Sequence, residues 1–188
     1  MKGLGGWRIW LAGLVVMATG CGYNTIQTMD EQVNQAKGQI AAQLQRRADL
    51  VPNLVATVKG VTKQEDTVFI SIAEARSKLA GAVQKGDPRE MAAANDALTG
   101  PLSRLLAISE NYPQLRSSEN FRALQDELTG TENRISVARQ DYNNAVGQYN
   151  AFIRRFPYNI TAKVFGMSKP REYFEAKAGA EEAPQVKF

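Results

Sequence analysis

Histidine is absent from all 188 residues, and cysteine occurs once, at Cys21. Without an imidazole the chain cannot build a Ser-His-Asp or Cys-His catalytic site, nor a zinc site of the His/Cys kind. The Glu-x-x-His ligand sets of di-iron helical bundles are excluded for the same reason, and a lone cysteine excludes internal disulfides. A concentrated basic face is missing too. The formal charge is +4 and the pI about 9.2, yet the basic residues are dispersed, with only Arg46-Arg47 and Arg154-Arg155 as adjacent pairs. Nucleic-acid binding needs a clustered basic surface, so no nucleic-acid partner is expected. Convincing strands are also lacking. Thr67-Val68-Phe69-Ile70 has strand-like composition, but it is short and falls inside a helical period.

What the chain does have is helical periodicity. From Phe121 to Phe156, apolar, aromatic or small residues recur at alternating threes and fours: Phe121, Leu124, Leu128, Thr131, Ile135, Ala138, Tyr142, Ala145, Tyr149, Phe152 and Phe156. Only Thr131 is plainly polar. Such spacing puts one stripe on one face of a long helix, which at about 1.5 Å per residue would span roughly 55 Å.

The other helices follow from the same logic. Helix one is expected from about Thr28 to Gly60, with Met29, Val33, Ala36, Ile40, Leu44, Ala48, Val51, Val55 and Val58 facing inward. Pro52 lies inside it and predicts a kink near Ala48 to Val51. Helix two is expected from about Thr62 to Gln84, carrying Val68, Ile72, Ala75, Leu79 and Val83 inward. Gly86-Asp87-Pro88 is a turn, with Asp87 as cap and Pro88 at the first helical position. Helix three then runs to about Asn111 with Met91, Ala94, Leu98, Leu102, Leu105 and Ile108, and Gly100-Pro101 predicts a kink or a short non-helical step. Tyr112-Pro113 ends it, and Ser117 or Ser118 caps the long fourth helix. Short links favour antiparallel neighbours. The expected fold is therefore all-α, an antiparallel up-and-down four-helix bundle with long first and fourth helices.

The N-terminus has the layout of an export leader. Lys2 and Arg8 precede an uncharged run from Ile9 to Gly20, and small residues lead into Cys21. Ala18-Thr19-Gly20-Cys21 is similar to a lipoprotein lipobox, which makes Cys21 a candidate lipidation site. An uncleaved anchor beginning near Trp7 is the alternative, although its strongly apolar part is short for a span of about 20 residues. A secreted protein with an ordinary leader is a third. Residues 1–21 are thus set apart as leader or anchor, residues 22–174 as the helical domain with a returning C-terminal segment, and residues 175–188 as a disordered tail.

Along the long helix, Gln125, Glu132 and Arg139 flank the stripe on one edge and Glu127, Arg134 and Asp141 on the other. Toward its end the first edge becomes Val146 and Ile153, so the apolar face widens. The segment Tyr158 to Phe174, with Ile160, Val164, Phe165, Met167, Tyr173 and Phe174, is the nearest candidate to cover that face. Self-association or the membrane interface is the alternative. Tyr142, Val146, Tyr149, Ile153 and Phe165 are accordingly the candidate interaction surface.

Several motifs in order carry a family resemblance. Asp49-Leu50-Val51-Pro52-Asn53-Leu54-Val55 is followed by Thr57-Val58-Lys59-Gly60, Glu110-Asn111-Tyr112-Pro113, Thr131-Glu132-Asn133-Arg134-Ile135, Tyr142-Asn143, Tyr149-Asn150 and Phe156-Pro157. Together they resemble the LemA family of bacterial membrane-associated proteins over roughly Tyr23 to Phe174. The resemblance implies an N-terminal membrane anchor, an extracytoplasmic helical bundle and no established enzymatic activity. Members usually carry a plain transmembrane anchor, so the lipobox at Cys21 departs from the pattern.

Three side-chain sets are candidates for chemistry. Asn53, Asn111, Asn133, Asn143, Asn144 and Asn150 with Tyr112, Tyr142 and Tyr149 could line a groove, but hydrogen bonds that cap or join helices are the favoured reading. Glu110, Glu132 and Asp141 could hold a cation, yet flanking charges usually face solvent or pair with residues such as Arg134 and Arg139. Ser77-Lys78 and Ser168-Lys169 are sequence neighbours, which a helix points apart. No catalytic, cofactor or metal site is assigned. The expected role is a non-enzymatic interaction or scaffold module tethered to the membrane by its N-terminus, with an envelope protein as partner and a homo-oligomer as a further candidate. A subunit of an envelope enzyme and a small-ligand-binding bundle are the alternatives.

Overall fold

Residues 4–61 and 66–174 are described by the computed structural model, with side chains from residue 22 onward. Their regular structure is helical: α1 Leu4–Lys59, α2 Asp66–Lys85, α3 Pro88–Ser109, α4 Pro113–Ser117, α5 Glu119–Phe152 and α6 Tyr158–Val164. Two compact units divide the chain. The first holds residues 1–36 and 141–172, and the second holds residues 37–140 and 173–188. Helices α1 and α5 contribute to both.

The second unit is built on apolar stripes. In α1, Ile40, Leu44, Ala48, Val51, Leu54 and Val58 are buried. The buried position after Pro52 is Leu54 and not Val55, because the stripe steps by three there. In α2 the buried set is Phe69, Ile72, Ala75, Leu79 and Ala82. The sequence pattern has Val68 and Val83 at the two ends, and both are half-buried. In α3, Met91, Ala94, Leu98, Leu102 and Leu105 are buried as their spacing requires. Asp87 caps α3 by accepting hydrogen bonds from the Arg89 and Glu90 amides, Pro88 takes the first turn, and Gly86 supplies a positive φ of 69° at the end of α2.

Both internal prolines are accommodated inside continuous helices. Pro52 has no amide hydrogen to give to the carbonyl of Ala48, four residues earlier. The Arg76 side chain of α2 donates to that carbonyl instead, Nε to oxygen at 2.8 Å. An opening in the α1 ladder thereby becomes a bond between two helices. Pro101 interrupts α3 less severely, since the affected carbonyl belongs to exposed Ala97, where water can serve.

The stretch around the long helix is shorter and more articulated than its periodicity suggests. Residues Pro113–Ser117 form the separate short helix α4, with Leu115 buried. Ser118 then adopts an extended conformation and its carbonyl accepts from the Arg122 amide at the start of α5. At the other end α5 stops at Phe152, and Phe156 lies beyond it, 75% exposed. Thr131, the polar member of the stripe, is fully buried because its hydroxyl donates to the Glu127 carbonyl of the preceding turn and accepts from Arg134.

The expected start of helix two at Thr62 and the expected disorder of residues 175–188 lie outside the described residues, as does the Cys21 side chain. Among the described residues no helix is long and apolar enough to cross a membrane.

The Pro52–Arg76 relation is testable by a double-mutant cycle on urea unfolding. Arg76→Met leaves the Ala48 carbonyl short of a donor and should cost about 1–3 kcal/mol. In a Pro52→Ala background the helix supplies its own amide, so the same change should cost about 1 kcal/mol less. Equal costs in both backgrounds would show that the two residues are not coupled.

Candidate functional site

Within the first unit, three side chains of α5 reach the backbone of the C-terminal segment. The Asn150 carboxamide accepts from the Arg171 amide at 2.8 Å and donates to the Arg171 carbonyl at 2.9 Å. One side chain thus pairs both backbone polar groups of one residue, as a neighbouring strand would. Tyr149 donates its phenol to the Met167 carbonyl at 3.2 Å, and Tyr142 donates to the Glu172 carbonyl at 2.8 Å. Their spacing at 142, 149 and 150 places them on one side of the helix. All three side chains are buried, at 2%, 3% and 6% exposure, and their bonds to the C-terminal segment are part-buried.

The Arg171 side chain completes this arrangement. Its Nε and one terminal nitrogen donate to the same Asp30 oxygen of α1, at 2.9 and 2.6 Å. Burial works against the guanidinium, but the hydrogen bond and charge of Asp30 outweigh it and raise its pKa above the ordinary value. Burial also raises the Tyr149 phenol, with the Asp30 charge adding to the effect and Arg171 opposing it.

All five residues of the candidate interaction surface belong to this unit, and four of them are buried. Tyr142, Val146, Tyr149 and Ile153 are between 0% and 3% exposed. The two phenols bond to the backbone carbonyls of residues 172 and 167. Phe165 is the exception, 51% exposed, with its ring 4.6 Å from that of Tyr23. Large exposed apolar side chains cluster in sequence beside it: Phe156, Ile160 and Val164.

Short helix α6 sits close against α1. Its Tyr158 ring stacks on Phe152, centroids 4.3 Å apart. A Cβ on Gly22 would come within 2.7 Å of that ring, so the contact requires glycine. Thr161 and Ala162 form the buried side of α6.

The second unit has a polar centre of its own. Arg47 is only 5% exposed, and it donates to the Asn95 side-chain oxygen at 2.5 Å and to the Thr99 hydroxyl at 3.1 Å. It also pairs with Glu132 at 2.6 Å. One guanidinium therefore joins α1, α3 and α5. Burial lowers its pKa, and the Glu132 and Asp96 carboxylates oppose that shift; an arginine remains charged in such a setting. Glu132, considered as a cation ligand on sequence grounds, is engaged in this brace, while Glu110 and Asp141 are exposed elsewhere. Among the described residues no three acidic or thiol side chains gather as a metal site would require.

Sequence reasoning passed over Arg47 and Asn95. The signal was present: Arg47 falls between Leu44 and Val51 on the buried period of α1, and Asn95 falls between Met91 and Leu98 on that of α3. A polar residue in a buried period needs a partner.

These contacts define an all-helical protein in which buried polar side chains serve its own backbone and brace its own helices. The chain belongs to the LemA family, whose profile matches residues 36–188. Relatives include magnetosome protein MamQ 2 of Paramagnetospirillum magneticum, 28% identical over an alignment that covers 82% of this chain and 65% of the relative. Magnetosome protein MamQ of Magnetospirillum gryphiswaldense is 23% identical over 84% of this chain and 66% of its own length. Protein LemA of Metamycoplasma hominis is 25% identical over 74% of this chain and 63% of its own. The chain thus spans a little under two-thirds of the length of these relatives.

Two outcomes follow for the Asn150 and Tyr149 contacts. Asn150→Leu keeps the volume but leaves the Arg171 amide and carbonyl unpaired, so the C-terminal segment should lose about 2 kcal/mol of protection, read as faster hydrogen exchange at the Arg171 amide. The raised Tyr149 phenol binds its proton more tightly folded than unfolded. Its stabilisation is complete below the unfolded phenol pKa of about 10 and declines as pH rises toward the folded value. Tyr149→Phe should flatten this alkaline loss in urea midpoints measured across that range; an unchanged slope would exclude Tyr149 as its source.

Proposed function

We propose that this chain is a membrane-tethered, extracytoplasmic helical-bundle protein that acts without catalysis, as an interaction or scaffold module of the bacterial envelope. The observation that carries this reading is the use of its buried and half-buried polar side chains: Asn150, Tyr149, Tyr142, Arg47 and, half-buried, Arg76 bond to the chain's own backbone and helices. Side chains committed in this way are not poised to act on a substrate. Membership of the LemA family supports membrane association, and the leader Met1 to Cys21 supports export.

The up-and-down antiparallel four-helix arrangement belongs to this proposal as well. It is supported by the two-residue link from α2 to α3 at Gly86 and Asp87, and by cross-helix bonds of α1 with α2, α3 and α5 through Arg76, Asn95 and Glu132. Cys21 is the proposed acylation site.

Fractionation of cells labelled with a fatty-acid analogue tests the tether, combined with protease added outside spheroplasts. The wild-type chain should carry label, sediment with membranes and be digested from outside. Cys21→Ala should lose the label. Label retained by Cys21→Ala would overturn acylation there, and full protection from protease would overturn the extracytoplasmic placement.

A further inference from the structure

Helix α6 and its flanks present an unusual combination of side chains to solvent. Phe156 is 75% exposed, Ile160 50%, Val164 73% and Phe165 51%. Ile160 and Val164 stand one helical turn apart on the exposed face, while Thr161 and Ala162 are buried. Exposing several large apolar groups in so short a stretch marks a contact surface.

The charge around them has one sign. Between Asp141 and Glu172 the chain carries no acidic residue. Arg154, Arg155, Lys163 and Lys169 are all exposed. The other cation of the stretch, Arg171, is held by Asp30.

The surface also has a defined place in the chain. Tyr158 of α6 packs on Gly22, and Gly22 directly follows the uncharged run Ile9 to Gly20 and Cys21 within the same continuous helix α1. The start of α6 therefore lies beside the residue that follows the uncharged run and Cys21.

We infer that α6 with its flanks is an interfacial docking element. Phe156, Ile160, Val164 and Phe165 enter the boundary of the membrane that holds the N-terminus, and Arg154, Arg155, Lys163 and Lys169 meet anionic lipid headgroups. An apolar face with a cationic border is the composition of interfacial helices, and basic residues beside a membrane anchor are drawn to anionic lipid. A second copy of the chain fits the surface less well, because a two-fold contact would bring the same four cations face to face.

This inference rests on the tether proposed above, and one experiment separates the two. The full-length chain carrying Val164→p-benzoylphenylalanine is reconstituted into vesicles of equimolar phosphatidylglycerol and phosphatidylcholine containing a trace of alkyne-tagged lipid, floated and irradiated. A lipid adduct at position 164 is expected. It should fall several-fold in pure phosphatidylcholine, and likewise when Arg154, Arg155, Lys163 and Lys169 are all changed to glutamine. These four are exposed, so circular dichroism of that variant should match wild type. A chain that floats but yields no lipid adduct, or yields a crosslinked dimer instead, overturns the docking element and leaves the tether standing. An adduct indifferent to lipid charge and to the glutamine changes overturns the headgroup contact. A chain that fails to float overturns both readings.

Discussion

Asn150 holding both backbone groups of Arg171 expresses the constraint on which much of this structure depends: a buried amide or carbonyl outside a helix ladder must find a partner. The segment after α6 runs without regular structure through residues 167–174, so its backbone cannot pair with itself. Helix α5 supplies what a neighbouring strand would supply, through Asn150, Tyr149 and Tyr142. The same requirement appears at Pro52, where the Ala48 carbonyl loses its helical donor and receives Arg76 from α2. In both places a local defect in backbone pairing is converted into a tertiary contact. Each such bond contributes only about 1 kcal/mol net, but leaving the group unpaired would cost more.

The buried charge obeys a related rule in the second unit. A guanidinium at 5% exposure is tolerable only when its donors are spent, and those of Arg47 go to Asn95, Thr99 and Glu132. Apolar stripes allow helices to rotate or slide by small amounts, whereas a forked donor with three fixed acceptors on two other helices admits one register. Arg46 and Arg134 meeting at Glu127 add a more exposed pairing between α1 and α5, which contributes less.

Helical periodicity carried most of the elements, because each helix buries one face and a face recurs every three or four residues. Met91, Ala94, Leu98, Leu102 and Leu105 are buried as spaced, and Asp87 caps where its position before a proline demanded. The errors are equally physical. Leu54 is buried where Val55 was expected, since spacing cannot say how the stripe continues past a proline. Phe156 continues the period of α5 in sequence but lies beyond the helix, because the chain turns after Phe152. The widening at Val146 and Ile153 was legible, and so was the segment Tyr158 to Phe174 as the nearest candidate to meet it, but the polar contacts that α5 makes with that segment were not. Composition cannot distinguish an apolar face reserved for another molecule from one that the chain covers itself, and the phenols of Tyr142 and Tyr149 acquire their role only when the carbonyls of Glu172 and Met167 arrive.

The first unit ties these threads together through the size of α6. Seven residues are too few for an isolated helix in water, since the nucleation cost exceeds what so few bonds return. Helix α6 is held from both sides. At its start Tyr158 lodges between Phe152 and Gly22. At its end the Met167 amide donates to the Ala162 carbonyl at 2.7 Å, and the Met167 carbonyl is in turn held by Tyr149. The order of α6 is therefore borrowed from the contacts of α5 with the segment that follows it. Loss of the Asn150 and Tyr149 bonds would free Met167, then the last turn of α6, and with it the orientation of Ile160, Val164 and Phe165. The polar contacts of α5 thus matter less as chemistry than as the means by which a short, otherwise unstable helix keeps an apolar face turned outward.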